Sequence, residues 1–152
     1  MRRVDIADPA FEYDPTDPDG FKAGTFRPGP DLGASITGAT VYELPPGQAV
    51  CPYHYEYAEE EWLLVLAGSV EVRHPDGADL LGPMELVCFP TGPDGAHGIR
   101  NATGEPARVL MFSNVAALAV TAYPDSDKIG VYPVGERHLF RRGDAVDYYD
   151  GE

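Results

Sequence analysis

The sequence predicts an all-β protein, a sandwich or small barrel of roughly eight to eleven strands. Seventeen glycines and fifteen prolines recur between short runs rich in valine, leucine, tyrosine and phenylalanine, which is the pattern of many short strands. The segment 74–77, His-Pro-Asp-Gly, is a turn signature, because glycine takes the position that needs a positive φ. No segment shows helical periodicity of useful length.

The candidate strands follow one another along the chain between turn-forming residues. The segment 67–69, Ala-Gly-Ser, reads as a tight link between two of them. The stronger candidates are 21–26, 35–43, 49–56, 61–66, 69–73, 84–89, 95–101 and 108–115, and the weaker ones are 117–123, 128–132 and 137–140.

The chain of 152 residues is long enough for one domain with a real core. Residues 1–20 are rich in proline and aspartate and predict an extended N-terminal arm. Residues 21–140 hold the candidate strands and form the predicted barrel. Residues 141–152 are polar but keep two adjacent tyrosines, so we expect a C-terminal arm that packs on its own barrel or on that of a partner.

The composition excludes several classes of function. With 25 acidic and 11 basic residues the formal net charge is −14, which disfavours nucleic acids and anionic membranes as partners. No apolar run approaches the roughly 20 residues of a membrane helix, and the N-terminus lacks the apolar stretch of a signal peptide. With two cysteines and no export signal, we expect reduced thiols and a cytoplasmic protein.

Four side chains of the types that bind metals stand out. On an extended strand His54 and Glu56 project from the same face, because residues i and i+2 do so. Glu61 opens an apolar run, and His97 follows a turn rich in glycine and proline at 90–95. Two imidazoles and two carboxylates brought together by an antiparallel barrel would suit a divalent metal ion.

The order of these residues resembles the two sequence motifs of the cupin superfamily, over about residues 36–116. The first motif is matched by Gly47, His54, Glu56, Glu61 and Gly68, and the second by Gly82, Pro90, Gly92, His97 and Asn101. The resemblance implies an antiparallel double-stranded β-helix, or jelly-roll barrel, with extended N- and C-terminal arms.

The resemblance also implies a metal site. In cupins, two histidines and a glutamate of the first motif and a histidine of the second bind one metal ion inside the barrel. By this correspondence His54, Glu61 and His97 are ligands, and Glu56, which stands where the family usually has a histidine, is a substituted ligand. Motif spacing favours Glu61, and Glu60 stays the alternative because the apolar run behind them selects no face.

We expect one divalent ion, Zn, Mn, Fe or Ni, because replacing an imidazole with a carboxylate makes the site harder. Without metal, two buried carboxylates would repel, and at least one should take up a proton. Neither Cys51 nor Cys88 is expected to bind the metal. On a regular strand Cys51 would face away from His54.

The function implied is a metal-dependent enzyme that acts on a small oxygen-rich metabolite, with Glu56 and Glu61 as candidate catalytic residues. The first motif and the segment 123–126, Tyr-Pro-Asp-Ser, look similar to a group of small bacterial cupins labelled sugar-phosphate-isomerase-like. The alternatives are an Fe(II) dioxygenase and a non-catalytic cupin that binds or senses a small molecule. None of Arg73, Arg100 and Arg108 is a clear phosphate ligand by its position in the sequence.

A homodimer is expected as well. Open barrels have strand edges that natural proteins cover, cupins commonly pair sheets between subunits, and the terminal arms could reach across a two-fold interface.

Overall fold

The computed structural model describes residues 1–152, which form twelve strands, one α-helix of a single turn and three 3₁₀ turns. The elements are β1 (Gly24–Phe26), α1 (Gly29–Leu32), β2 (Thr37–Leu44), β3 (Tyr55–Glu56), β4 (Glu61–Ala67), β5 (Val70–His74), β6 (Gly77–Leu81), β7 (Leu86–Phe89), β8 (Gly98–Arg100), β9 (Ala107–Asn114), β10 (Leu118–Tyr123), β11 (Lys128–Pro133) and β12 (His138–Arg141), with 3₁₀ turns at Pro93–Gly95, Pro124–Ser126 and Arg142–Asp144. No helix is long and apolar enough to cross a bilayer.

The strands form three antiparallel sheets. The largest has the order β1-β2-β9-β4-β7, the second β12-β11-β10-β3 and the third β6-β5-β8. Strands that follow one another in the chain are not always adjacent in a sheet. In the largest sheet, β9 lies between β2 and β4, and β3 belongs to the second sheet. This is a jelly-roll arrangement, and the predicted all-β fold class is confirmed.

The core lies against the inner face of the five-stranded sheet. Leu63 and Val65 of β4 pair with Met111 and Val109 of β9, and all four side chains are buried. Directly opposite residues share a face, and every second residue returns to it. Glu61, two residues before Leu63, therefore lies on the inner face as well, at the open end of the core.

Two predicted strands are shorter in the structure, and one strand was not predicted. The expected strand 49–56 shrinks to β3, because Pro52 has no amide hydrogen to donate and residues 49 and 54 make only isolated bridges. Strand β6 was missed because all but its last residue are exposed, so it has no apolar alternation. The expected strand 95–101 begins only at β8, after the 3₁₀ turn Pro93–Gly95.

The N-terminal segment packs along the outer edge of the large sheet. Glu12 forms an antiparallel bridge with Thr25, and the Tyr13 hydroxyl donates to Glu43 Oε1 at 2.7 Å. Arg108 donates to the carbonyl oxygen of Ala7 at 2.6 Å. Residues 141–152, in contrast, are exposed throughout.

Candidate metal centre

Strand β4 places Glu61 on the inner face of the large sheet. Glu61 pairs with Ser113 of β9 on one side and with Phe89 of β7 on the other. Its neighbour Glu60 instead accepts a hydrogen bond from Trp62 Nε1 at 3.2 Å, and Trp62 occupies the opposite face. The carboxylate that points to the histidines is therefore that of Glu61.

His54 and His97 face each other across an isolated antiparallel bridge. The amide of His54 donates to the carbonyl of His97 at 3.0 Å, and the reciprocal bond measures 2.8 Å. Both side chains are buried, and their ring centroids are 4.5 Å apart. Phe89 stacks on the ring of His97 with a centroid separation of 3.7 Å. The two imidazoles are thus fixed by backbone pairing and by packing.

A backbone carbonyl holds the Nδ1 atom of each histidine. His54 Nδ1 donates to the carbonyl of Pro52 at 3.0 Å, and His97 Nδ1 donates to the carbonyl of Gly95 at 2.9 Å. In the neutral imidazole a proton on Nδ1 leaves the lone pair on Nε2. This is the arrangement in which protein histidines bind metals through Nε2.

The free atoms of the triad converge. Glu61 Oε2 is 3.4 Å from His54 Nε2 and 3.3 Å from His97 Nε2, and all three ligand atoms lie within 4.8 Å of one another. Glu61 Oε2 and His97 Nε2 are buried and have no hydrogen-bond partner. A buried polar atom without a partner is costly. Three convergent donors of the N and O types that zinc, iron, manganese and nickel accept therefore fit a divalent ion.

Glu56 borders this triad without joining it. Its Oε1 atom is 3.7 Å from His54 Nε2, and the Thr121 hydroxyl lies 2.8 Å from each carboxylate oxygen. Burial raises the pKa of Glu56 to about 7, although the hydrogen bond from Thr121 and the neighbouring His54 act in the opposite direction. Glu56 can therefore carry a proton near neutral pH.

The Glu61 carboxylate and the His54 imidazole shift each other's pKa. Burial alone would raise the pKa of Glu61, but the contacts with His54 and His97 outweigh it and lower the pKa to about 2. Burial would also lower the pKa of His54, and the Cys51 sulfur and the Glu61 carboxylate raise it instead. Glu61 and His54 therefore stabilise each other's charged forms.

Cys51 lies on the same side as His54, contrary to the expectation from a regular strand. Its Sγ atom is 3.4 Å from His54 Nδ1, because residues 51–53 form bends rather than a strand. The sulfur contacts the nitrogen that faces away from the triad, and the metal-binding group does not include it. Both cysteines are free thiols.

A cavity of about 530 Å³ opens beside the triad and is lined by His54 and Glu61. Its other polar lining comes from β2, from the end of β9 and from the segment after β1: Arg27, Ser35, Thr37, Thr40, Tyr42, Cys51 and Ser113. The sequence analysis did not identify Arg27 or Tyr42. Neither belongs to a motif, and only the pairing of β1 with β2 brings them to the cavity.

The comparisons with known proteins agree with this geometry. The family described as the cupin domain matches residues 40–113, the stretch from β2 to β9 that carries all the triad residues. No curated protein matches the sequence.

Several solved structures are similar. A protein from Acidithiobacillus ferrooxidans, described provisionally as a sugar phosphate isomerase, is 25% identical, with a TM-score of 0.78 over 84% of this chain and 81% of the other. A cupin-superfamily sugar phosphate isomerase from Silicibacter pomeroyi is 20% identical, with a TM-score of 0.83 over 97% and 98%. The polyketide cyclase RemF from Streptomyces resistomycificus is 27% identical, with a TM-score of 0.60 over 75% and 79%.

Proposed function

Because the chain carries a cupin domain, we propose that it is a metal-dependent enzyme that converts a small, oxygen-rich metabolite, with isomerase-like chemistry. The observation that carries this proposal is the triad of His54, Glu61 and His97, whose free atoms converge within 4.8 Å at the side of a cavity of about 530 Å³. The similarity to the Acidithiobacillus protein supports the reaction class.

His54, Glu61 and His97 would hold the ion. Both histidines enter as neutral ligands, since each Nδ1–H is already donated to a carbonyl, and Glu61 supplies one negative charge. A bound divalent ion supplies Lewis acidity toward adjacent oxygens of a ligand. Three protein ligands leave coordination positions for that ligand, as catalytic rather than structural sites do.

Glu56 is the candidate acid and base. A group that takes and returns a proton works best when its pKa is near the working pH, and burial brings the pKa of Glu56 to about 7. The Thr121 hydroxyl lies 2.8 Å from each carboxylate oxygen, and Oε1 lies 3.7 Å from His54 Nε2. As an alternative role, Glu56 completes the ligand set when the ion is bound.

A second candidate function is an Fe(II) oxygenase. Two histidines and one carboxylate with open positions are the ligand set of the non-haem iron oxygenases, and the triad has this composition. The identity of the metal separates this candidate from the isomerase. A third candidate is a cupin that binds a small molecule without turnover. It would show neither isomerase nor oxygenase activity with the bound metal.

The deciding experiment measures the metal content of untagged protein by elemental mass spectrometry, for the wild type, His54→Ala and Glu56→Gln. His138→Ala is the matched control, because His138 is exposed on β12 and lies outside the cavity, where its side chain contacts Glu136 and Phe140. We expect near-stoichiometric metal in the wild type and the control, and its loss in His54→Ala. Retention in Glu56→Gln, with loss of turnover, would assign Glu56 as the acid and base, whereas loss would make it a ligand.

Turnover is then measured with the metal found. Interconversion of aldose and ketose sugars, with uptake of solvent deuterium followed by NMR, tests the isomerase, and an oxygen electrode tests the oxygenase. Absence of metal from every preparation, even after reconstitution, would refute the metalloenzyme and leave a binding protein.

We further propose that the chain forms a homodimer. Strand β12 is the edge of its sheet, and its Leu139 and Phe140 are 41% and 54% exposed. Uncovered apolar edges invite pairing with a second chain. Sedimentation equilibrium at micromolar concentration should give twice the chain mass, and the monomer mass would refute the dimer.

A further inference from the structure

Resting on the proposed function, we infer that the ligand of the cavity carries an anionic group, a carboxylate or a phosphate, and that Arg27 in the cavity lining binds this group. Arg27 is the only arginine or lysine among the cavity residues. Arg27 follows β1 and Glu61 lies on β4, at opposite sides of the cavity wall that the large sheet forms. A ligand bound by Arg27 at one end and by the metal centre at the other would therefore span the cavity.

The position of Arg27 follows from the register of the sheet. Phe26, the last residue of β1, pairs with Val41, so Arg27 comes next to Thr40, whose partner on β9 is Met111. Thr40 and Met111 line the cavity, and so does Arg27. From β1 to β4 there are three strand spacings, about 14 Å between backbones, and the side chains project into the space between them.

Arg27 is exposed and forms no ion pair with a carboxylate, so its charge is available to a ligand. Arg73 forms an ion pair with Asp125, and Arg108 forms one with Glu43. The only side-chain hydrogen bond of Arg27 goes to Thr25 Oγ1, at 3.2 Å. The remaining donors of its guanidinium are free, and their planar fork matches a carboxylate or a phosphate.

The neighbouring cavity wall suits an anion as well. Hydroxyl groups of Ser35, Thr37, Thr40 and Ser113 line the same cavity, and hydroxyls can donate to an anionic oxygen. Burial raises the pKa of Tyr42 to about 12, while the charge of Arg27 acts to lower it. Glu61, the one carboxylate of the lining, lies at the opposite end and belongs to the triad.

The experiment compares three probes of the same carbon skeleton by isothermal titration calorimetry: ribose 5-phosphate, ribonate and neutral ribose. The variants are Arg27→Gln, which removes the charge, and Arg27→Lys, which keeps the charge but not the fork. Arg3→Gln is the matched control, because Arg3 is exposed and lies outside the cavity. Thermal unfolding and metal content are measured on every variant.

We expect at least one of the two anions to bind the wild type and the control about tenfold or more tightly than ribose. Arg27→Gln should abolish this preference, and Arg27→Lys should restore part of it. The anion that binds more tightly identifies the group as phosphate or carboxylate. Equal binding of anions and ribose to the wild type, an unchanged preference in Arg27→Gln, or no binding of either anion at millimolar concentration would overturn the inference.

The two proposals fail separately. A wild-type protein that contains stoichiometric metal but shows no preference for anions keeps the metal centre and loses the role of Arg27. A protein that shows an anion preference dependent on Arg27, but holds no metal, keeps the anion site and loses the metalloenzyme.

Discussion

Replacing Asn101 with aspartate should destabilise the fold, because it removes two buried hydrogen-bond donors without changing the size of the side chain. Asn101 is fully buried. Its Nδ2 atom donates to the carbonyls of Leu44 and Glu105, both at 2.8 Å. Its Oδ1 atom accepts from the amide of Thr103 at 2.9 Å and from the Thr103 hydroxyl at 2.7 Å. These bonds tie the end of β2 to the turn between β8 and β9.

The magnitude follows from these contacts. Asn101→Asp removes the amide donor to the carbonyls of Leu44 and Glu105, although the Glu105 carbonyl keeps the Thr103 hydroxyl as a donor at 3.0 Å. A buried group left unsatisfied costs about 1–3 kcal/mol. The introduced carboxyl faces both carbonyls, so it must be protonated or bear a buried charge. We expect a loss of about 3–5 kcal/mol in the free energy of unfolding at pH 7. Thr103→Val, which removes only the hydroxyl contacts, should cost about 1 kcal/mol.

The loss should depend on pH with a definite sign. Burial places the pKa of the introduced carboxyl above its unfolded value of about 3.9. The part of the deficit that comes from ionisation is therefore absent below that value and grows as the pH rises toward the folded pKa, by about 1.4 kcal/mol per pH unit. Urea unfolding with a chelator present, followed by the fluorescence of Trp62, the only tryptophan, measures the deficit at pH 5 and 7. A variant within about 1 kcal/mol of the wild type at pH 7, or a deficit independent of pH, would refute the reasoning.

Four further outcomes are expected. A divalent ion at 100 times its dissociation constant should stabilise the protein by about 2.7 kcal/mol and raise the Tm by about 5–11 °C; an equal rise in His97→Ala would contradict the triad. Gly95→Ala should weaken metal binding, since its Cβ would overlap with the carbonyl of Pro90 and displace the turn that orients His97; unchanged affinity would show that the turn adapts. The folded pKa of Glu56, about 7, lies above its usual 4.5, so the stabilising effect of protonated Glu56 is complete below about pH 4.5 and is lost as the pH rises through 7. The Tm of the metal-free wild type should therefore fall from pH 5 to 8 more than the Tm of Glu56→Gln. Parallel curves for the two proteins would exclude a contribution from Glu56. Leu63→Ala, at a fully buried position, should cost about 2–5 kcal/mol, and a cost below 1 kcal/mol would mean that the core collapses around the gap.

Much of the fold could be predicted because its strands alternate or are buried. Strands β2, β4 and β9 were found within one or two residues of their ends, since their inner faces are apolar. The β6 strand was missed because its side chains are exposed. The segment 49–56 was predicted as one strand, but its backbone bonds go to isolated partners such as His97, which the local sequence does not specify.

The candidate site was predictable to a similar degree. His54 and His97 are of ligand type and lie at motif positions, and the matching cupin domain includes both of them. The choice between Glu60 and Glu61 required the register of β4 with β7 and β9, because the apolar run that follows them has no alternation from which a face could be assigned. The position of Cys51 beside His54 depended on the bends at 51–53.

The sequence alone determined the all-β class, the two motifs and the types of side chain available to a metal, because these depend on local composition and spacing. Only the tertiary structure decided that Glu56 binds Thr121 while Glu61 meets both histidines, and that Arg27 shares their cavity. The physical reason is that strand pairing joins residues far apart in the chain. A register shift of one residue would turn each of these side chains to the other face of the sheet.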